Sequence, residues 1–407
     1  MQLLRAPLSS VSDSSFAFRV AVFYAAIFVA LGVQVPFLPL WLAAKGLDPG
    51  AIGVVLSLPM IVRVFAIPLA THAADRRDAL HTVIVIASAV AILGYSVLGL
   101  AQGALAITLA YTLASAFFTP LLPLADAYAL RGLGHIGRAY GPVRMWGSAA
   151  FIVGTFGAGL LLDVIATRDL IWVMVVTLAI SAATALALSP LTLHDASAGK
   201  RLSFARDLLR DPVLLAAAAA ASLIQASHAV YYGFSALDWT TAGFDGGAIG
   251  ALWALGVVTE IALFALSGRL SIAPTTLILL GGAGAVIRWG AMAFDPPPVL
   301  LPLLQCLHAF SFGATHLGAV AVVARRAPAE LAASAQGYFA VALGLVMAAA
   351  LGVSGVIYAR WGNFAYGAMA LTAAAGALFA VVAHRLAWRK CAGLTRRCGT
   401  SRRARGR

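Results

Sequence analysis

Windows of about 20 mostly apolar residues recur along the whole chain, each long enough for a helix to cross a hydrocarbon core of about 30 Å. About twelve can be marked, at 19–43, 51–72, 80–100, 103–130, 140–163, 169–190, 212–236, 247–268, 274–294, 298–324, 331–358 and 363–387. Two blocks of six flank the one long polar stretch, Thr192 to Asp211 (TLHDASAGKRLSFARDLLRD). The expected organisation is a six-helix half over residues 1–190, a cytoplasmic linker over 191–211 and a second six-helix half over 212–390. A basic cytoplasmic tail follows at 391–407, where the Arg, Gly and Ser content suggests disorder. The fold class is therefore an all-α membrane protein. Only 11% of the 407 residues are charged and 62% are hydrophobic, whereas soluble domains carry about a quarter charged residues.

The net charge of +13 raises the question of nucleic acid, but the placement of the basic residues answers it differently. With the N-terminus inside, Lys45, Arg168 and Arg360 fall in outer loops and Arg63, Arg144 and Arg288 within spans. The other 22 of the 28 Lys and Arg fall in inner loops and termini or at the inner ends of spans. That is the charge bias of a multi-pass protein with both termini in the cytoplasm. Outer loops carry Asp48, Asp163, Asp169, Asp238, Asp245 and Asp295 instead. The expected partners are the lipid bilayer, a small-molecule substrate and protons, with no nucleic acid. The first span is too long for a signal-peptide core and is expected to stay in the mature chain. Cys306, Cys391 and Cys398 suggest neither a disulfide framework nor a metal site.

An acid and an arginine stand in two adjoining spans of the stretch LADAYALRGLGHIGRAYGPVRMWGSAAF. Asp126 precedes the intervening loop by about five residues and Arg144 follows Tyr140 by about four. At 1.5 Å per residue both lie roughly 6–8 Å inside the same face. Equal depth permits pairing. A charge in the bilayer costs several kcal/mol unless it is paired or faces water, so each is a functional hypothesis by default.

The spans also hold Arg63, Glu260 and Arg288, with Gln34, His228, Gln305, His308, His316 and Gln336. Two acids thus face three arginines, and the surplus positive charge could receive an anionic substrate. Glu260 and Arg288 differ in depth by roughly 9 Å by helical rise, so they meet only through long side chains. Asp126 and Glu260 can each take up a proton and couple movement to it. The bland alternatives are structural bonding for the arginines and fixed hydrogen bonding for the histidines. His228 is followed by Tyr231 and Tyr232, which could equally be belt residues. His308 and His316 are eight residues apart, about 80° round a regular helix and roughly 12 Å along it, which suits neither joint chelation nor a metal enzyme.

VPFLPL in the first span and TPLLPL in the fourth hint at a repeated three-helix unit, a pointer to a binding cavity in transporters. GTFGAG (154–159) and the glycines of 281–284 read as close helix contacts. Trp146 and Trp253 read as packing.

Several stretches together resemble the major facilitator superfamily, and within it the phenylpropionate permease branch, related to lactose-permease-type proton symporters. They are PLLPLADA (120–127), YGPVRMWGSAAFIVG (140–154), SHAVYYGFSALDW (227–239), ALWALGVVTEIALFALS (251–267), VIRWGAM (286–292) and LHAFSFGATH (307–316). The resemblance implies twelve helices, a cavity between two six-helix halves, alternating access and proton-coupled uptake, without a cofactor. It places Asp126 and Arg144 in a substrate site, and Glu260, Arg288 and His308 or His316 in a coupling network. Span ten lacks the acid that sugar-type relatives carry there. The loop signature between spans two and three keeps Asp75-Arg76 but has Thr71 where glycine is usual.

The expected function is secondary transport at the cell's inner membrane, with proton-coupled uptake of a small organic solute such as an aromatic monocarboxylate. The substrate set is Asp126, Arg144, Arg63, His228 and Tyr232; the coupling set is Glu260, Arg288, His308 and His316. An exporter working by proton antiport and a sugar or nucleoside symporter are the rivals. A membrane enzyme would need clustered metal ligands or a nucleophile–base pair, which the spans do not offer.

Overall fold

The structure is a computed structural model that describes residues 13–76, 79–191, 210–269, 271–327 and 332–404; for 13, 76, 332–334 and 390–404 it describes the backbone only. Most of the expected linker, and Arg77 and Asp78 of the turn after span two, lie outside the described residues. Among those described, all regular structure is helical. Eleven helical runs are long and apolar enough to cross a membrane. The last of them, Ala335–Arg389, has 55 residues and contains the eleventh and twelfth expected spans. They join through a 3-10 turn at Gly362–Phe364, where Gly362 has φ 52, a backbone conformation that glycine adopts without steric cost.

In chain order the helices are α1 (Asp13–Ala44), α2 (Pro49–Arg76), α3 (Leu80–Leu100), α4 (Ala104–Phe118), α5 (Leu121–His135), α6 (Tyr140–Leu162) and α7 (Leu170–Leu186). They continue with α8 (Pro212–Ala226), α9 (Ala229–Thr241), α10 (Gly246–Ser267), α11 (Pro274–Met292), α12 (Leu301–Cys306), α13 (Thr315–Arg326), α14 (Ala332–Trp361) and α15 (Ala365–Ala404). The backbone of α15 is helical well into the stretch where the sequence suggested disorder.

Three spans are broken, and the breaks have local causes. The fourth is interrupted at Thr119 and Pro120 between α4 and α5, since proline cannot donate to the helical ladder. Its counterpart in sequence, VPFLPL, leaves α1 continuous with Pro36 and Pro39 inside it, so the two motifs are not structurally equivalent. The seventh is interrupted at Ser227 and His228, whose side chains bond back to the carbonyls of Ile224 and Gln225. Such back-bonding competes with the helix. The tenth carries one turn of π-helix, Ala309–Ala314, between α12 and α13.

The chain forms two compact units, Met1–Ala196 with Trp239–Ala254, and Ser197–Asp238 with Leu255–Arg407. In the first, α1 packs on α6 and α7, and α3 on α4 and α7. Small residues set the α1–α6 approach: a Cβ on Gly154 would lie 2.5 Å from the Val29 carbonyl oxygen, and one on Gly32 2.5 Å from that of Phe151. The Thr155 hydroxyl donates to the Gly32 carbonyl at 3.0 Å. The first part of α10 belongs to this unit because Asp163, at the end of α6, accepts from the amides of Gly246 and Gly247 at 2.7 and 3.2 Å. An acid there satisfies free N–H groups and complements the helix dipole. In the second unit, α11 and α8 pack on α15, α14 packs on α8, and α13 on α11. Gly282 and Gly376 meet α15 and α8 at distances that exclude a larger residue.

Loop acids serve largely as caps. Asp48 accepts from Ala51 N, Asp245 from Ala248 N and Asp211 from Val213 N. Asp75 pairs with Arg131 of α5 at 2.8 Å, an exposed ion pair that links the end of α2 to the fourth span. Asp238, counted from sequence with the outer loops, lies inside α9. Large apolar side chains stay exposed along the helices, among them Phe18, Leu93, Leu105, Leu113, Val153 and Leu371, as a surface facing lipid requires.

Candidate functional site

In the first unit, Asp126 and Arg144 meet as their depths suggested, with Arg144 Nε 3.6 Å from Asp126 Oδ1. Two phenols point at the same oxygen: Tyr24 donates at 2.6 Å and Tyr140 at 2.8 Å. The Tyr24 ring crosses that of Tyr140 edge-on. Two phenol donors on one oxygen, with the arginine charge beside it, hold the carboxylate in a fixed direction. The Arg144 guanidinium lies over the Phe28 ring at 4.3 Å and the Tyr24 ring at 5.3 Å. Among the described residues its two Nη groups have no hydrogen-bond partner, and its side chain is 27% exposed. The site thus offers a cationic fork with aromatic faces beside it. Nearby on α1 and α6, a groove of about 430 Å³ is lined by Phe18, Val22, Arg138 and Trp146.

In the second unit, Arg288 is fully buried. Its Nη2 donates to Gln305 Oε1 at 2.5 Å, and its Nη1 lies 3.0 Å from His308 Nδ1 and 3.3 Å from Ser311 Oγ. The guanidinium also lies over the rings of Tyr231 and Trp289 at 4.6 and 4.5 Å. Hydrogen-bond logic fixes both neighbouring imidazoles. An arginine can only donate, so His308 Nδ1 accepts and its proton resides on Nε2. That Nε2 faces Glu260 Oε2 at 3.6 Å. His228 Nδ1 lies 3.0 Å from the Gln225 carbonyl oxygen, which can only accept, so Nδ1 carries the proton. His228 Nε2 lies 3.2 Å from Ser311 Oγ. His308 is therefore neutral in this arrangement. Two buried donors, Arg288 Nε and Gln305 Nε2, have no hydrogen-bond partner among the described residues.

The π-turn changes the geometry expected of span ten. His308, Phe312 and His316 stack in one column, with ring centroids 5.2 and 6.1 Å apart and planes within 7°, where a regular helix would offset the histidines by about 80°. The wider turn takes up the offset. Phe312 separates the two imidazoles, and among the described residues no group of three or more His, Cys, Asp or Glu could hold a metal ion.

The expected residues therefore fall into three places. Asp126 and Arg144 form the first cluster. His228, Tyr232, Glu260, Arg288, His308 and His316 gather in the second, where His228 stacks on Tyr232 at 5.6 Å. Arg63 joins neither; its one hydrogen-bond partner among the described residues is Met60 Sδ at 3.7 Å. Sequence reasoning missed Tyr24, Tyr140, Phe28, Ser311 and Trp289 as site residues and counted Gln305 only as a polar residue in a span. A phenol or hydroxyl in an apolar window was the one signal for several of them. An apolar cavity of about 110 Å³ between α8, α13 and α14 is lined by Leu214, Val322, Tyr338 and Phe339 and carries no charged side chain.

Comparison with known proteins accords with this geometry. The MFS_1 like family model matches residues 17–367. The "Probable 3-phenylpropionic acid transporter" of Escherichia coli (strain K12) is 30% identical over 367 residues, covering 87% of this chain and 94% of that protein. The maltose permease of Geobacillus stearothermophilus is 29% identical over 344 residues, covering 84% of this chain and 87% of that one. Among solved structures, the nucleoside transporter NupG superposes with a TM-score of 0.76 at 17% identity, over 91% of this chain and 98% of that one. A bacterial homologue of the human lysosomal transporter Spinster gives a TM-score of 0.71 at 14% identity, over 92% and 97%. The folded helices, the two intramembrane polar clusters and these similarities lead to one conclusion: the chain belongs to the MFS_1-like family and is a multi-pass membrane transporter of the major facilitator superfamily.

Proposed function

We propose that this transporter imports a small aromatic monocarboxylate together with protons, at the cell's inner membrane and with both termini in the cytoplasm. The observation that carries the reading is Arg144. Its Nε lies 3.6 Å from Asp126, its two Nη groups have no hydrogen-bond partner among the described residues, and the Phe28 ring lies 4.3 Å away. A carboxylate matches such a fork with two parallel charge-assisted bonds, and a substrate ring has aromatic faces within reach. The likeness to the Escherichia coli protein whose name gives 3-phenylpropionic acid supports the same substrate class.

The proton step falls to the second cluster. Arg288 orients His308 so that its Nε2 proton points at Glu260. A proton taken up by Glu260 is stabilised as the neutral acid in an apolar setting and released when the site opens to water. Arg63 and His316 then serve secondary roles.

A binding panel tests the substrate class. Purified protein in lipid is titrated with 3-phenylpropionate, with its alcohol 3-phenylpropanol, with maltose and with a nucleoside. The reading expects the carboxylate to bind and the alcohol to bind far more weakly. Arg144→Gln should weaken carboxylate binding about 10- to 100-fold, the equivalent of a lost charge-assisted bond of about 1.5–3 kcal/mol. Tighter binding of maltose or the nucleoside, or an unchanged affinity in Arg144→Gln, would overturn it.

A further inference from the structure

We infer that Asp238 is a proton-holding site of the second unit, with its proton on Oδ2. Asp238 sits near the end of α9, and its two carboxyl oxygens have unlike surroundings. Oδ1 accepts from the Tyr358 hydroxyl of α14. Oδ2 is buried and has no hydrogen-bond partner among the described residues. No Lys, Arg or His among the described residues lies within ion-pair distance of it.

The groups around it make an anion expensive. Phe234, one turn before Asp238 in α9, stacks on the Tyr358 ring at 4.3 Å. Asp295, after α11, is the charged group within electrostatic reach, and it is held in place by Asn363 Nδ2 at 2.5 Å. Tyr366 of α15 is within reach as well. A carboxylate facing one phenol donor, a like charge and no cation has little to replace its hydration. A carboxylic acid costs less there: its carbonyl oxygen keeps the Tyr358 bond, and a neutral hydroxyl on the dry side is cheaper to leave without a partner than a charge.

Asp238 also connects to the Arg288 cluster. The Tyr366 ring is fully buried and stacks on Trp289 at 5.7 Å, and Trp289 lies under the Arg288 guanidinium at 4.5 Å. Tyr366 thus packs on the Arg288 cluster while it lies within electrostatic reach of Asp238. Its use in coupling rests on the function proposed above; the proton itself does not.

Infrared spectroscopy of the purified protein in lipid vesicles tests the proton without any substrate. At neutral pH the wild type should show a carbonyl band of a protonated carboxylic acid that Asp238→Asn removes and Asp126→Asn leaves in place. Tyr358→Phe should move that band to higher frequency, because the carbonyl loses its hydrogen bond. A band set unchanged in Asp238→Asn overturns the inference, and if that variant fails to fold, an unmoved band in Tyr358→Phe does the same. For the coupling role, Asp238→Asn should keep counterflow of 3-phenylpropionate and lose gradient-driven accumulation; accumulation equal to wild type would overturn that role. A wild type inert toward 3-phenylpropionate would count against the proposed substrate while leaving the infrared result to stand.

Discussion

Asp126 takes two phenol donors on one oxygen beside Arg144, whose terminal nitrogens have no hydrogen-bond partner among the described residues, and the donors come from two neighbouring helices. Tyr24 and Tyr140 are the positioning residues. Removing one phenol hydroxyl takes away a bond to a charged group that is worth about 1.5 kcal/mol at the low end. Tyr24→Phe and Tyr140→Phe should each weaken 3-phenylpropionate binding about tenfold, measured by titration calorimetry; an effect of the double variant no larger than either single one would show that the two act as a unit. The charged members of this cluster were legible in the sequence, because a charge in an apolar window is rare and costly. The tyrosines were not, since a phenol is at home in such a window and its hydroxyl's target depends on the fold. The same applies to Ser311 and Gln305, which acquire meaning only once Arg288 stands beside them.

Broken and closely packed helices decide where these side chains go. His228 stands at the interruption of span seven, His308 at the π-turn of span ten, and Asp126 just past the break in span four. Irregular backbone at membrane depth survives only where protein or a wet cavity satisfies it. Deleting one residue from Ala309–Ala314 should restore a regular helix and rotate His308 away from the column that Phe312 and His316 form. The expected outcome is near-complete loss of transport with helical content unchanged by circular dichroism; transport at the wild-type rate would remove the π-turn from the account. The contact of α1 with α6 makes a second prediction. Gly154→Leu places a side chain against the Val29 backbone, whereas a Cβ on Gly157 meets nothing within 4 Å. Overpacking typically costs about 1–3 kcal/mol, so Gly154→Leu should melt well below wild type in detergent and Gly157→Ala should not. The length of the apolar windows revealed the spans, and the glycines revealed the close contacts. It could not reveal the π-turn, which differs from a regular helix by one residue of register, nor could matching proline motifs show that one helix breaks and the other does not.

At the scale of the whole molecule, the sequence declared a membrane protein through its apolar windows, and every expected span has a helical counterpart in the structure. The final two spans read as one run only because a three-residue turn joins them. Charge placement along the chain suggested the orientation, and the resemblance in both halves suggested the family that the comparisons show. In the proposed function, substrate and proton are handled by two clusters that stand in different units, so their linkage is not legible in local pattern. The direct test is accumulation of labelled 3-phenylpropionate in vesicles holding the purified protein, with an inward proton gradient imposed or absent, for wild type, Arg144→Gln and protein-free vesicles. Proton-coupled uptake through Arg144 predicts accumulation that needs the gradient, rises as the external pH falls, and drops in Arg144→Gln to the protein-free level. Accumulation that ignores the gradient, or that Arg144→Gln retains in full, would contradict it.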